Sequence, residues 1–291
     1  MTALEADLIV FGYFVADDSP RARDRFVRFG EALSKLAKLD VQLFDASSYD
    51  ELSNAIVSGY VDVAWLPPIP FLALDARGAV APLVHLERGG RAAYESVLIV
   101  ARDSGLRTLD DVVGTRAAWV EPSSASGFVV PRLSLAARGI DPRTAFEEER
   151  FWRTHESVVR AVARGLSDVG ATYAGFDRAG TLTRGPWQHV QGAEDAVRVL
   201  ARVGEVPGDI VAARAALPGG TRERVLGALL AATRDGRSRL LARDAFGVDD
   251  FRPFSRAGYE ALRRAVAGAT ADGVLSGDGP SQSSRAHRRP T

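Results

Sequence analysis

Cysteine is absent from the 291 residues. Its absence excludes disulfides, zinc–thiolate sites, cysteine nucleophiles and a lipid anchor on an N-terminal cysteine, and leaves the redox compartment open. Histidine is scarce. His85, His189 and His287 show no ligand spacing with one another or with His155, so neither a metal nor another cofactor is expected. Charge of one sign is not in excess either: 37 basic residues meet 37 acidic ones. That balance argues against the basic face on which nucleic-acid affinity rests. The one basic cluster, Arg285-Ala-His-Arg-Arg289, sits in a terminus rich in Ser, Gly and Pro. No apolar run approaches the ~20 residues of a membrane span, so the chain is not expected to be membrane-embedded. The opening MTALEAD carries acids and no Lys or Arg, unlike the positive start of a secretory signal. As written, the chain is expected to be cytoplasmic; a misassigned start site would instead make it periplasmic.

What is present is a soluble globular composition, 46% hydrophobic and 25% charged, long enough for one or two compact units. Leu8–Tyr13 is a continuous apolar run, as in a central strand covered on both faces. Ser19-Pro20 reads as a helix cap, and Phe26, Phe29, Leu33 and Leu36 mark one buried helical face. Val41–Phe44 is a second strand. Ser48 and Glu51 form a capping box for a helix carrying Leu52 and Ile56 inward, which stops near Gly59; Val61–Trp65 is a third strand. Strand and helix alternate, which predicts a parallel sheet.

Further strands are predicted at Tyr94–Ala101, Arg116–Val120, Phe151–Trp152, Asp168–Ala171, Val197–Val203 and Ile210–Ala213. Helices are predicted after Thr108-Leu-Asp-Asp111, after the Glu121–Gly127 loop and after Thr154. Two more follow at roughly Thr221–Ala242 and Arg256–Ala267, with little order beyond Ala271.

Ser48–Val63 aligns with Thr154–Val169 at an offset of 106 residues. Cap matches cap, Ala55 matches Ala161, Gly59 matches Gly165, and Asp62-Val63 matches Asp168-Val169. Two ordinary βαβ units can agree this far by chance; the functional alternative is two similar lobes facing one another. On that alternative Tyr49 and His155 hold equivalent places at helix starts, where open α/β sheets bind ligands.

Pro122-Ser-Ser-Ala-Ser-Gly127 is the richest local signal. Between a strand and a helix it presents unpaired backbone N–H groups and a partial positive charge, so it can hold an anion without a lysine or arginine. Ser124 and Ser126 add hydroxyls, and Gly127 lets the backbone approach closely. Read singly, the loop is also an ordinary serine-rich cap, His155 a structural histidine, Tyr49 a packing residue and Asp209 a turn residue. A hydrolase built on Ser126 and His155 lacks the G-x-S-x-G elbow.

Taken in order, several segments carry a resemblance. They are Val61-Asp-Val-Ala-Trp65, Tyr94-Glu-Ser-Val-Leu-Ile-Val100, Glu121–Gly127 leading to Val130-Pro131, Thr154-His-Glu156, Val206-Pro-Gly-Asp209 and Phe251-Arg-Pro-Phe254. With them the chain resembles the phosphonate-binding family of ABC-transporter solute receptors over nearly all of residues 7–265. The resemblance implies an α/β, two-lobed type-2 periplasmic-binding-protein-like fold. Each lobe is a mostly parallel sheet flanked by helices, and two crossing strands join them. The lobes are expected at 1–98 plus 205–271 and at 99–204, with a disordered tail at 272–291.

The family's phosphonate-holding groups fall on Ser124, Ala125, Ser126, His155, Tyr49 and Tyr94. Where the family has a central threonine this chain has Ala125, and the missing hydroxyl costs ~1.5–3 kcal/mol if nothing replaces it. Of two acids that hold a ligand amine in some members, Asp209 matches one, while Gly175 stands at the other. Trp65 and Pro67-Pro68 replace more polar residues near the cleft. The expected function is non-catalytic binding of phosphate, phosphite or a phosphonate, with an ABC-transporter permease or a sensor protein as partner. The alternative is a lyase or hydrolase on the same scaffold using His155.

Overall fold

The computed structural model describes residues 8–15, 19–177 and 179–275. Two sheets organise them. The first is built from β1 (Leu8–Tyr13), β2 (Asp40–Asp45), β3 (Val63–Leu66), β4 (Val80–Glu87), β11 (Ile210–Arg214) and β12 (Asp250–Pro253). Its order is β12-β4-β11-β3-β1-β2, and only β11 and β12 run against the rest. The second contains β5 (Ala93–Ala101), β6 (Arg116–Trp119), β7 (Glu148–Phe151), β8 (Val169–Phe176) and β10 (Val197–Pro207). Its order is β10-β5-β8-β6-β7, with only β5 reversed, and the short β9 (Leu182–Arg184) pairs antiparallel with β8.

Both faces of each sheet are covered, which is why β1 and the Val97–Val100 stretch of β5 are continuously apolar. Ile9, Phe11 and Tyr13 pack on Phe26, Phe29 and Leu33 of α1 (Pro20–Ala37), beside α6 (Gly219–Ala232) and α7 (Gly236–Phe246). The opposite face meets α2 (Tyr49–Val57), α3 (Pro68–Ala76) and α8 (Ala257–Ala271) through Leu52, Phe71 and Leu262. In the second sheet Leu98 and Val100 pack beside α4 (Val130–Ala137), while Val97 and Ile99 pack on α5 (His155–Ala163).

The chain crosses between the sheets twice, side by side. It leaves β4 through a tight turn bridged by Arg88 and Arg91 and enters β5; it returns from β10 through Gly208 and Asp209 into β11. Gly208 N–H donates to the Ala92 carbonyl at 2.7 Å, and Leu86 N–H donates to that of Asp209 at 2.9 Å. A Cβ at Gly208 would lie 2.6 Å from the Leu86 carbonyl oxygen, so only glycine lets the two crossings touch.

The offset of 106 extends into the hydrogen bonding. Asp62 accepts from Val10 N–H at 2.9 Å and Asp168 accepts from Arg116 N–H at 2.9 Å, each across 52 residues. The return bonds match: Asp62 N–H donates to the Val10 carbonyl and Asp168 N–H to that of Arg116. Gly12 faces Ala64 where β1 meets β3, and Ala118 faces Gly170 where β6 meets β8. The same strand–helix–strand unit is therefore built twice.

Several local expectations change. The Ser48 hydroxyl caps α2 by accepting from Glu51 N–H at 3.1 Å, but the Glu51 carboxylate reaches back to Ser47, not Ser48. The predicted helix after Thr108 is a single 3-10 turn at Asp110–Val112, and the Asp111 carboxylate does the capping by accepting from Arg107 and Thr108 N–H. The stretch Thr221–Ala242 is two helices, because Asp235 caps a new one by accepting from Ser238 N–H. Helix α3 and strands β4, β9 and β12 were not predicted. Of the terminus beyond Ala271, Val274 offers its carbonyl to Arg132, Leu275 packs on the second core, and 276–291 lie outside the described residues.

Candidate functional site

The loop after β6 carries the serines. Ser124 is the N-cap, accepting from Gly127 N–H at 3.1 Å, and a wide π-helical turn follows at Ala125–Val129 before α4. Pro131 explains the widening. It has no N–H for the Gly127 carbonyl four residues back, and that carbonyl accepts instead from Val120 N–H at 3.2 Å. Gly127 packs so closely that a Cβ would lie 2.3 Å from Val120. The N–H groups of Ala125 and Ser126 open the helix, ahead of any that a helix can pair internally. Ser96, buried in β5, donates to the Ser126 carbonyl at 2.8 Å and fixes the turn on the second sheet.

Around this turn stand Tyr94, Tyr49 and His155. The Ser126 hydroxyl stands close to the Tyr94 phenol, and burial followed by the Asp209 charge pushes that phenol above its ordinary range. Tyr49, the first residue of α2, packs edge-on against Phe14 at 4.8 Å. Burial, then Asp209, Glu121 and Tyr94, push its phenol up as well, which makes these groups neighbours. His155, the first residue of α5, meets the Thr172 hydroxyl through Nδ1 at 2.9 Å and the Tyr173 ring at 4.9 Å. Burial lowers its pKa from 6.5 to about 4, so the imidazole is neutral at pH 7. Tyr173 in turn lies 6.3 Å from Tyr94, ring centre to ring centre. Both tyrosines stay protonated and able to donate.

Two expected residues sit differently from the rest. The Asp209 carboxylate is engaged by Arg88 Nη2 at 2.8 Å, which also donates to the Phe246 carbonyl. Trp65 stacks on Phe26 at 5.9 Å and meets Phe246 at 5.2 Å in the first core, with its indole N–H buried and unpartnered. No ring or hydrogen-bond contact among the described residues joins it to Tyr49, Tyr94 or His155.

Sequence reasoning missed Thr172, Tyr173, Arg184, Arg88, Ser96 and Glu121. Thr172 and Ser96 carried a signal, a polar residue inside an apolar strand; Arg184 carried none, because β9 was not predicted. Arg184 lies with its guanidinium carbon 5.8 Å from the Tyr173 ring centre. Burial raises the Glu121 carboxyl pKa while a hydrogen bond from Ser123 opposes it, and Arg153 stands nearby. A separate cavity of about 810 Å³, lined by Leu133, Val203, Pro207, Tyr259 and Leu262, contains none of the predicted site residues. No group of three or more metal-ligating side chains converges among the described residues.

Ser126, Tyr94 and Tyr49 are neighbours, and Tyr173 links Tyr94 to the neutral His155 imidazole, a set of donors suited to an oxyanion. Comparison with known proteins agrees. A family described as ABC transporter, phosphonate, periplasmic substrate-binding protein matches residues 11–259. The phosphate-import protein PhnD of Mycolicibacterium smegmatis is 26% identical over 177 residues, 57% of this chain and 55% of that protein. The phosphonates-binding periplasmic protein of Escherichia coli is 26% identical over 168 residues, 55% of this chain and 48% of its own length. The chain thus spans about half the length of the curated relatives it matches. PhnD1 of Prochlorococcus marinus, solved with methylphosphonate, superposes with a TM-score of 0.74 at 15% identity, covering 91% of this chain and 98% of that one. No helix among the described residues is long and apolar enough to cross a membrane. With its two crossing-linked α/β units and a family match across nearly the whole described chain, the protein belongs to the phosphonate family of periplasmic substrate-binding proteins of ABC transporters.

Proposed function

We propose that the chain binds a small phosphorus oxyanion (phosphate, phosphite or a phosphonate) between two lobes, without catalysis, and delivers it to an ABC-transporter permease in the periplasm. Each lobe is built on one sheet, and the crossings from β4 to β5 and from β10 to β11 form the hinge, so β5 and β10 belong whole to the second lobe and are not cut at 98 and 205. The ligand's oxygens take the N–H groups of Ala125 and Ser126, the hydroxyls of Ser124, Ser126, Tyr49 and Tyr94, and the Nε2 of His155. Donors come from both lobes, so contacts completed only on closure favour the closed form. The observation that carries this reading is the open turn at Ala125–Ser126, fixed by Ser96 and with Tyr94 close beside Ser126.

A lyase or hydrolase using His155 is the weaker reading. The imidazole meets Thr172 and Tyr173, with no carboxylate bonded to it among the described residues, and the Ser126 hydroxyl lies close to Tyr94. The test is thermal-shift screening of the full chain with phosphate, phosphite, methylphosphonate, sulfate and 2-aminoethylphosphonate. A native-state ligand raises the apparent Tm by mass action. One phosphorus oxyanion is expected to stabilise the protein. Ser126→Ala or His155→Ala is expected to weaken its affinity about 10- to 100-fold, as loss of a hydrogen bond to a charged oxygen costs. A flat response to every phosphorus compound, with a clear response to a sugar or an organic cation, would sink the proposal.

A further inference from the structure

Arg184 stands beside the site without an ion pair among the described residues. Arg184 ends β9 and lies directly across from Gly175 of β8 in the antiparallel pairing. A Cβ at Gly175 would come within 3.3 Å of the Arg184 Cβ, a tight contact, and 3.5 Å of its Nε, an ordinary one, so the bare backbone there eases the fit of the arginine. From that place the guanidinium reaches over Tyr173, whose ring contacts both His155 and Tyr94. The side chain is half-buried, yet among the described residues it makes no hydrogen bond or ion pair. Taking a charge out of water without a partner is costly, and a guanidinium fork is shaped to receive a carboxylate or phosphoryl group.

The neighbouring charges do not complete it. Asp209 is committed to Arg88 at 2.8 Å, so the two arginines on this side face a single carboxylate. Glu121, near Tyr49, is bonded by Ser123 and neighboured by Arg153. Glu156 influences Tyr173 and is the one acid that would favour an amine instead. The three arginines equal the three acids in number, but none of these acids makes an ion pair with Arg184 among the described residues.

We infer that the preferred ligand is a phosphorus oxyanion carrying a second anionic group on a short chain, and that Arg184, given space by Gly175, receives that second group. This rests on the oxyanion reading above and narrows it: the far end of the ligand is a carboxylate or second phosphoryl group, neither a bare alkyl nor an ammonium. Arg184 is then the specificity residue, and the serine turn with His155 holds the phosphorus end.

Calorimetric titration of the full chain with methylphosphonate, phosphonoacetate, 3-phosphonopropionate and 2-aminoethylphosphonate tests it. One of the two carboxylated compounds is expected to bind at least about tenfold more tightly than methylphosphonate, the value of one charge-assisted pair. The aminated compound is expected to gain nothing over methylphosphonate. Arg184→Gln should bring the carboxylate-to-methyl affinity ratio to within about threefold of unity, and Arg184→Lys should keep part of it, since an ammonium retains the charge and loses the fork. Methylphosphonate binding with no carboxylate preference, or a preference that survives Arg184→Gln, overturns this inference and leaves the oxyanion reading standing. Tighter binding of 2-aminoethylphosphonate than of either carboxylated compound also overturns it, in favour of Glu156. Failure of every phosphorus compound to bind brings down the oxyanion reading, and the inference with it.

Discussion

The unit β1–α2–β3 and the unit β6–α5–β8 are the same construction with different chemistry at the working end. Both tie their strands with an aspartate that accepts from an N–H 52 residues earlier, and both begin their helix under a hydroxyl cap. Yet one helix opens on Tyr49, a phenol that burial keeps protonated, and the other on His155, an imidazole that burial keeps neutral. The frame is held by backbone bonds and small-residue packing, while the first residue of each helix is free to differ. The repeated unit thus presents a different kind of donor at each helix start.

The aspartates sharpen the comparison most. Asp62 is the more buried: its side chain is 14% exposed and also accepts from Arg214 at 2.7 Å. Asp168 is 39% exposed, and Arg116 holds its carboxyl below the usual range. Removing a buried acceptor strands an N–H and a guanidinium, which costs about 3 kcal/mol, whereas solvent replaces much of what an exposed acceptor provides. Asp62→Ala is therefore expected to lose about 3 kcal/mol in urea unfolding and Asp168→Ala about 1. Equal losses would show that the backbone bond, the feature both units share, carries the whole effect.

A pH titration separates the two helix starts. Between pH 6.5 and about 4 the unfolded chain takes a proton at His155 that the folded protein refuses. Stability present above pH 6.5 is accordingly lost as pH falls through that window. The partly exposed ring reduces the full linkage value, leaving about 2 kcal/mol. Over pH 7 to 4 the wild type should lose about that much more than His155→Gln in denaturant unfolding. Tyr49→Phe should track the wild type across the same range, because its phenol is pushed up, away from this window. Parallel curves for wild type and His155→Gln would mean that the imidazole is not desolvated.

Much of this duplication was legible in the sequence, because it is written in caps, terminal glycines and an Asp-Val pair, which act over a few residues. The site was legible in part for the same reason: Ser124, Tyr49 and His155 are all helix starts. What escaped depends on pairing between distant segments. Arg184 gains its place from a strand register with Gly175 that no local pattern announces. Helix α3 and β4 were hidden by prolines. Pro68 and Pro70 lie where a helix's first turn tolerates them, and Pro82 sits at a register shift in the β4–β11 pairing, where a missing N–H does little harm. The break between α6 and α7 was masked by apolar spacing that runs on past Asp235.

The smallest expected effect tests how far the two frames are interchangeable. Each unit puts one glycine and one alanine at the strand pair beneath its helix, with the order reversed: Gly12 opposite Ala64, and Ala118 opposite Gly170. A Cβ at Gly170 would lie 2.7 Å from Val158 Cγ1 and 2.8 Å from Val162 Cγ2. Both are β-branched helix residues with little rotamer freedom, so the helix must move as a body. A Cβ at Gly12 would lie 2.5 Å from Leu52 Cδ1, the far end of a side chain that can turn aside, and 2.9 Å from Val61. Overpacking of this kind costs about 1–3 kcal/mol. Gly170→Ala should therefore destabilise by about 1.5 kcal/mol and Gly12→Ala by less than about 1 in chemical denaturation. The reverse order would mean that Val61, not Leu52, sets the limit in the first unit and that α5 gives way more easily than α2. The helix opening on His155 would then be the softer wall of the two.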